Sequence, residues 1–173
     1  GEETFYSKLE ISNGRSVRFM AVIDRIDSTE KSLRVIDYKT GKVEVPSGSQ
    51  TIESYFDRLQ EKRYDAYVQV YLYAMVLDSL AGKSGVLKLK SGKSVKFVCG
   101  DDSSNIEMII YPVTKLKKEK ILSQPLSREN LDTYKKALQG CVEEIFDENV
   151  PFVQAPQENR SCEWCLFKQI CRR

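Results

Sequence analysis

The sequence contains no histidine. That absence excludes a Ser-His-Asp triad, a Cys-His protease, a histidine-based metalloprotease motif and any His-dependent nuclease supplied by this chain alone. Long apolar runs are missing as well. Nothing approaches the roughly 18 residues a membrane span needs, and no signal-peptide hydrophobic region opens the chain. A cytoplasmic protein with reduced thiols and no membrane partner is therefore expected. A strong charge of either sign is also absent. The 27 basic and 25 acidic residues leave +2, so affinity for nucleic acid would have to come from local patches. There is neither an internal repeat nor a low-complexity segment. Acid–base or metal chemistry must rest on carboxylates, lysines, tyrosines and thiols.

What is present suffices for one domain with a real core: 173 residues, 41% of them hydrophobic. Residues 4–11 and 15–27 read as strands joined by the turn Ser12-Asn13-Gly14, and 32–39 as a third strand in a second hairpin. A Gly/Pro/Ser-rich loop follows over 41–50. The pattern then turns helical, with a short helix over 51–60 and a longer one over 62–80 whose apolar positions include Tyr67, Val70, Tyr71, Ala74 and Leu77. Apolar runs at 85–89, 94–100 and 105–113 are expected strands separated by Gly/Ser/Lys-rich turns. The basic run 115–120 is expected to be a solvated connection. A last helix is expected from an N-cap at Ser127 to about Asn149, ended by Pro151. The order predicts an α/β or α+β fold with a mixed sheet.

Charges interrupt the first strands. In "VIDRID" and "RVIDYK" the carboxylates of Asp24 and Asp37 end apolar runs. Side chains at i and i+2 share a strand face, so Asp37 and Lys39 belong on one face with Leu33 and Val35. If the flanking strands pair across 28–31, Asp24 can join Asp37 on that face. Two converging carboxylates would bind a hard divalent cation, with the Tyr38 carbonyl as a further oxygen ligand. A lysine beside them could orient a water and stabilise charge developing on a phosphate. The same spacing also suits ordinary surface charges, with Asp37 and Lys39 as an exposed ion pair and Asp24, Arg25 and Asp27 at strand ends.

As a set, "AVIDRID" followed by "VIDYKTG" resembles the core of the PD-(D/E)XK nuclease superfamily, in the branch formed by RecB- and AddB-type nuclease domains. The resemblance implies a restriction-endonuclease-like α/β core, a central mixed β-sheet flanked by helices. It places Asp24 and Asp37 as metal-binding aspartates and Lys39 as the catalytic lysine, and leaves Asp27 a strand-end charge. Ala21 stands where the branch usually has glycine. The branch also carries Q-x-x-x-Y on the following helix, which Gln69 and Tyr73 supply; at i and i+4 they share a helix face. Cys162, Cys165 and Cys171, spaced C-x₂-C-x₅-C, resemble the last three of four cysteines that hold a [4Fe–4S] cluster in AddB-like nucleases.

The implied activity is Mg²⁺- or Mn²⁺-dependent hydrolysis of DNA, of exonuclease type, usually by one domain of a helicase–nuclease that processes double-strand breaks. The rest of such a polypeptide, or a partner subunit, would be its partner besides DNA. The family's upstream helix, with a Glu or His ligand and the first cluster cysteine, has no counterpart in the opening stretch. Glu2, Glu3 and Glu10 lie there in an expected strand, and Gly1 rather than Met begins the chain. The expectation is a nuclease core over 1–160, truncated at its N-terminus and short of a ligand when alone, with a Cys-rich tail over 161–173. Cys99 and Cys141 are expected to be small buried hydrophobes. A catalytically inactive DNA-binding module, or an interaction domain with a zinc or redox tail, are the competing readings.

Overall fold

Ser12, Asn13 and Gly14 turn the chain back on itself at the start of the molecule. Asn13 and Gly14 both adopt the left-handed conformation, with φ of 62° and 67°, which an amide side chain or no side chain tolerates best. The computed structural model describes residues 2–28, 33–57, 64–82, 85–96, 106–113, 121–122, 126–151, 166 and 168–170. The turn joins β1 (Glu3–Glu10) to β2 (Ser16–Ile23) in an antiparallel ribbon. The expected strand over 15–27 is in fact two. It breaks at Asp24 and resumes as β3 (Arg25–Ser28), which pairs antiparallel with β4 (Leu33–Lys39).

β4 then pairs in parallel with β7 (Ile106–Pro112), and β7 pairs antiparallel with β8 (Ile121–Leu122). The order β3-β4-β7-β8 makes a mixed sheet, and with its helices the chain is α/β, consistent with a restriction-endonuclease-like fold. Parallel neighbours need a long crossover. Here it contains helix α1 (Asp65–Ala81) and a small hairpin of β5 (Val86–Lys88) and β6 (Ser94–Lys96). Helix α2 (Arg128–Ile145) completes the fold.

α1 is buried along nearly its whole circumference: Ala66, Tyr67, Val70, Tyr71, Tyr73, Ala74, Met75, Val76, Leu77 and Ala81 are all inside. A helix apolar on every side needs partners on every side. Strands β1, β2, β4 and β7 cover one flank and α2 with residues 53–56 the other. The expected short helix over 51–60 is, within the described residues 51–57, only a 3-10 turn over Glu53–Phe56; residues 58–60 fall outside the described residues, as do the basic run 115–120 and the expected strand beyond Lys96. No described helix is long and apolar enough to cross a membrane.

Two contacts tie α2 to α1. Tyr134, wholly buried, stacks on Tyr71 with ring centroids 5.2 Å apart and donates its hydroxyl to the Val68 carbonyl at 2.8 Å. That carbonyl lies within a helix, so its loss of a second donor is mild. Tyr134→Phe is expected to cost about 1 kcal/mol in urea unfolding, the usual net worth of one hydrogen bond. On the other contact, Asp78 accepts two hydrogen bonds from Arg128, at 2.8 and 3.0 Å, and one from Lys135 at 2.9 Å.

Ser127 caps α2 as expected, its hydroxyl accepting from the Asn130 N–H at 3.0 Å. The far end corrects the expectation: the helix stops at Ile145, not near Asn149. The Asp147 carboxylate accepts from both the backbone and side-chain nitrogens of Asn149, at 2.9 and 3.0 Å. A side chain that bonds nearby main chain in this way competes with the helical ladder.

Candidate active site

The inward row of β4 runs Leu33, Val35, Asp37, Lys39. The first three are sealed from solvent, and Asp37, 1% exposed, is the one buried polar or charged residue among those described. Alternation along the strand produces this row, as the sequence predicts. Its register carries the charged end of β4 to the end of the ladder with β7, where Lys39 faces Pro112. Proline has no N–H to continue a ladder. The ladder therefore ends at Lys39, two positions beyond the buried Asp37.

Asp24 comes from the other side. β3 pairs Arg25 with Ile36, so one further step would set Asp24 opposite Asp37. The strand bends at that step instead, and the Asp24 side chain takes the place of main chain: its Oδ2 accepts the Tyr38 N–H at 2.8 Å. N–H and C=O of one strand residue point toward the same neighbour, so the Tyr38 carbonyl is directed along this side as well. The Tyr38 ring points away and packs on Tyr111, centroids 6.0 Å apart. The amide contact was not foreseen from the sequence, which offers no signal for a strand break at an aspartate.

Lys39 Nζ lies 2.8 Å from Asp37 Oδ2 and donates to Gln69 Oε1. Gln69 in turn donates through Nε2 to the Tyr73 hydroxyl. Gln69 and Tyr73, one turn apart on α1, thus reach the charged end of β4, joining two segments about 30 residues apart in sequence. Asp24, Asp37, Lys39, Gln69 and Tyr73 form one group. Asp27 stands outside it, paired with Arg25 at 2.8 Å on the exposed side of β3.

The electrostatics of this group are unbalanced. Burial pushes the Asp37 carboxyl above the usual carboxylate range; Lys39 pulls it back, and the negative charge of Asp24 adds to the rise. Lys39 Nζ at 2.8 Å is the one group that compensates Asp37 Oδ2; no other donor among the described residues reaches this buried oxygen. Tyr73 is likewise raised, by burial first; its bond with Gln69 opposes this, and the charges of Asp37 and Asp24 add to it. Asp37 and Asp24 together offer carboxylate oxygens of the kind a hard divalent cation takes.

Among the described residues no group of three or more Asp, Glu, His or Cys converges on one point, so Glu2, Glu3 and Glu10 do not complete the pair. Glu3 is engaged elsewhere, accepting the Lys90 N–H at 3.2 Å. Cys141 is a half-buried free thiol on α2, less enclosed than expected. Cys99, Cys162, Cys165 and Cys171 lie outside the described residues.

With this geometry in place, comparison with known families is decisive. The family model of the PD-(D/E)XK nuclease superfamily matches residues 2–172. The chain belongs to that superfamily. No curated protein and no solved structure matches it. In this PD-(D/E)XK protein Asp37-Tyr38-Lys39 spells the D-x-K of the superfamily's name, with Asp37 buried and Lys39 partly open to solvent.

Proposed function

We propose that this chain is a DNA nuclease core that hydrolyses phosphodiester bonds with Mg²⁺ or Mn²⁺ held by Asp24, Asp37 and the Tyr38 carbonyl. The observation that carries the reading is the buried Asp37 Oδ2, which among the described residues no donor but Lys39 reaches and which lies beside a second carboxylate. Burying a carboxylate that one lysine compensates only in part costs stability, and a cation at that point would offset the cost. When bound, the ion supplies Lewis-acid polarisation of the phosphate and a more acidic water.

The remaining chemistry belongs to the chain. Lys39 carries three N–H donors on one positive charge. Asp37 and Gln69 hold the ammonium in place, while its side chain stays partly open to solvent. From there it can orient the attacking water and neutralise charge that builds on the phosphate oxygens as the water adds to phosphorus and the bond to the leaving sugar oxygen breaks. Gln69 and Tyr73 are positioning residues: they touch Lys39 and one another. A context within a larger helicase–nuclease that processes DNA breaks belongs to the same proposal and is supported by the likeness of the motifs.

Incubation of the protein with linear DNA and Mg²⁺ or Mn²⁺ tests this. Degradation is expected, with Lys39→Ala reducing the rate by about 10²- to 10³-fold. Gln69→Ala should lose about 10- to 100-fold, as supporting residues of metal sites do, with the loss mainly in kcat. Wild-type protein that binds DNA but leaves it intact with either metal would favour an inactive binding module. Undiminished cleavage by Lys39→Ala would overturn the assignment of the site.

A further inference from the structure

Between Asp78 and Asp101 the sequence has five lysines and no carboxylate. Four of them, Lys88, Lys90, Lys93 and Lys96, lie on the β5–β6 hairpin, and all four are exposed. The hairpin is held by its apolar side: Leu87, Leu89 and Val95 are buried. Alternation then turns the lysine-bearing side outward. At the tip, the Leu89 N–H bonds the Lys93 carbonyl at 2.9 Å and the Gly92 N–H bonds the Leu89 carbonyl at 3.0 Å. Gly92 supplies the left-handed residue of this turn, with φ of 79°. Lys88, Lys90 and Lys93 form no ion pair among the described residues.

The tip is anchored at a particular place. The Lys90 N–H donates to the carboxylate of Glu3 at 3.2 Å. Glu3 is the register partner of Ile23, the residue before Asp24. One cross-strand step and one residue therefore separate the anchoring strand position from the candidate metal ligand. A cationic hairpin with no Asp or Glu of its own is thus tied, through Glu3, to the strand that leads into an acidic site.

We propose that the β5–β6 hairpin is a contact surface for the backbone of DNA entering this site, with Lys88, Lys90 and Lys93 meeting successive phosphates. The proposal rests on the reading of the site as one that cuts DNA. Mobile lysines around a phosphate chain give affinity without sequence preference and a steep dependence on salt. The hairpin thereby supplies the attraction that the chain's near-neutral total charge does not.

Binding, measured apart from cleavage, tests it. Fluorescence anisotropy of a labelled DNA oligonucleotide is followed in EDTA across a salt series, for wild type and for the triple variant Lys88→Gln, Lys90→Gln, Lys93→Gln. A second triple variant, Lys8→Gln, Arg18→Gln, Lys136→Gln, removes the same charge from other surfaces. The hairpin variant is expected to bind on the order of tenfold more weakly near 0.1 M salt, with the slope of log affinity against log salt shallower by about one per lysine. The control should move far less. Equal losses in the two variants, unchanged binding in the hairpin variant, or no binding by wild type would overturn the proposal. Cleavage by wild type together with unchanged binding in the hairpin variant would remove the hairpin alone and leave the nuclease reading standing. Binding through the hairpin with no cleavage in Mg²⁺ or Mn²⁺ would do the reverse.

Discussion

Asp37→Asn should make the metal-free protein more stable while lowering DNA cleavage by about a thousandfold or more. The second half follows from loss of a charged ligand, since a cation's stabilisation of the transition state amounts to several kcal/mol, at 1.36 kcal/mol for each factor of ten. The first half follows from burial. Asp37 is 1% exposed, and its carboxyl is raised above the usual range by desolvation, with Lys39 only partly compensating. A group whose folded pKa lies above its unfolded value, about 3.9 for Asp, favours the fold in its protonated form. Stability is therefore greatest below that unfolded value and declines as pH rises through the folded one, so the cost grows toward neutral pH.

An asparagine removes the charge and keeps the shape. The gain should be about 1–2 kcal/mol at pH 7, or some 3–6 °C in Tm for a chain of this size, and should vanish at acidic pH. Lys39 tolerates the loss because it keeps Gln69 and is partly solvated. Calorimetry with and without Mg²⁺ completes the test: the ion should raise the Tm of wild type and leave the variant unmoved. A variant less stable than wild type at neutral pH would contradict this account of the carboxylate.

The opposite behaviour is expected at Asp78. Burial alone would raise this carboxyl, but hydrogen bonds and charge from Arg128 and Lys135 outweigh it and hold the group below the usual range. Each charge sits at an unfavourable helix end when taken alone, an acid near the C-terminus of α1 and an arginine opening α2. Together they cancel that penalty and clamp the helices. Asp78→Ala leaves two cations facing a partly buried space and should cost about 3 kcal/mol, roughly 10 °C in Tm.

Because the folded pKa is depressed, the stabilisation is full above the unfolded value near 3.9 and disappears as pH falls through the folded one. Acid unfolding of wild type should therefore show a contribution that Asp78→Ala lacks. A double-mutant cycle with Arg128→Ala should be strongly non-additive. Additive losses would mean that the two residues stabilise the fold separately.

The two aspartates show how far primary structure reaches. Period-two alternation was enough to put Asp37 and Lys39 on the face of Leu33 and Val35, because strand geometry is local and forces it. One-turn spacing likewise paired Gln69 with Tyr73, and the hydroxyl of Ser127 announced the start of α2. Local rules made Asp24 only a conditional partner of Asp37; they did not show that a strand read as continuous breaks there and that the carboxylate replaces a main-chain partner of Tyr38. Nor could they reveal that Asp78 reaches across 50 residues to Arg128, or that the lysine hairpin is pinned to Glu3 beside the site. Residue identity and short-range periodicity determined the chemistry available to this protein. Pairing register and helix packing, which arise from contacts distant in sequence, decided that Asp37 would be buried without a full set of partners, and that is the feature from which its proposed function follows.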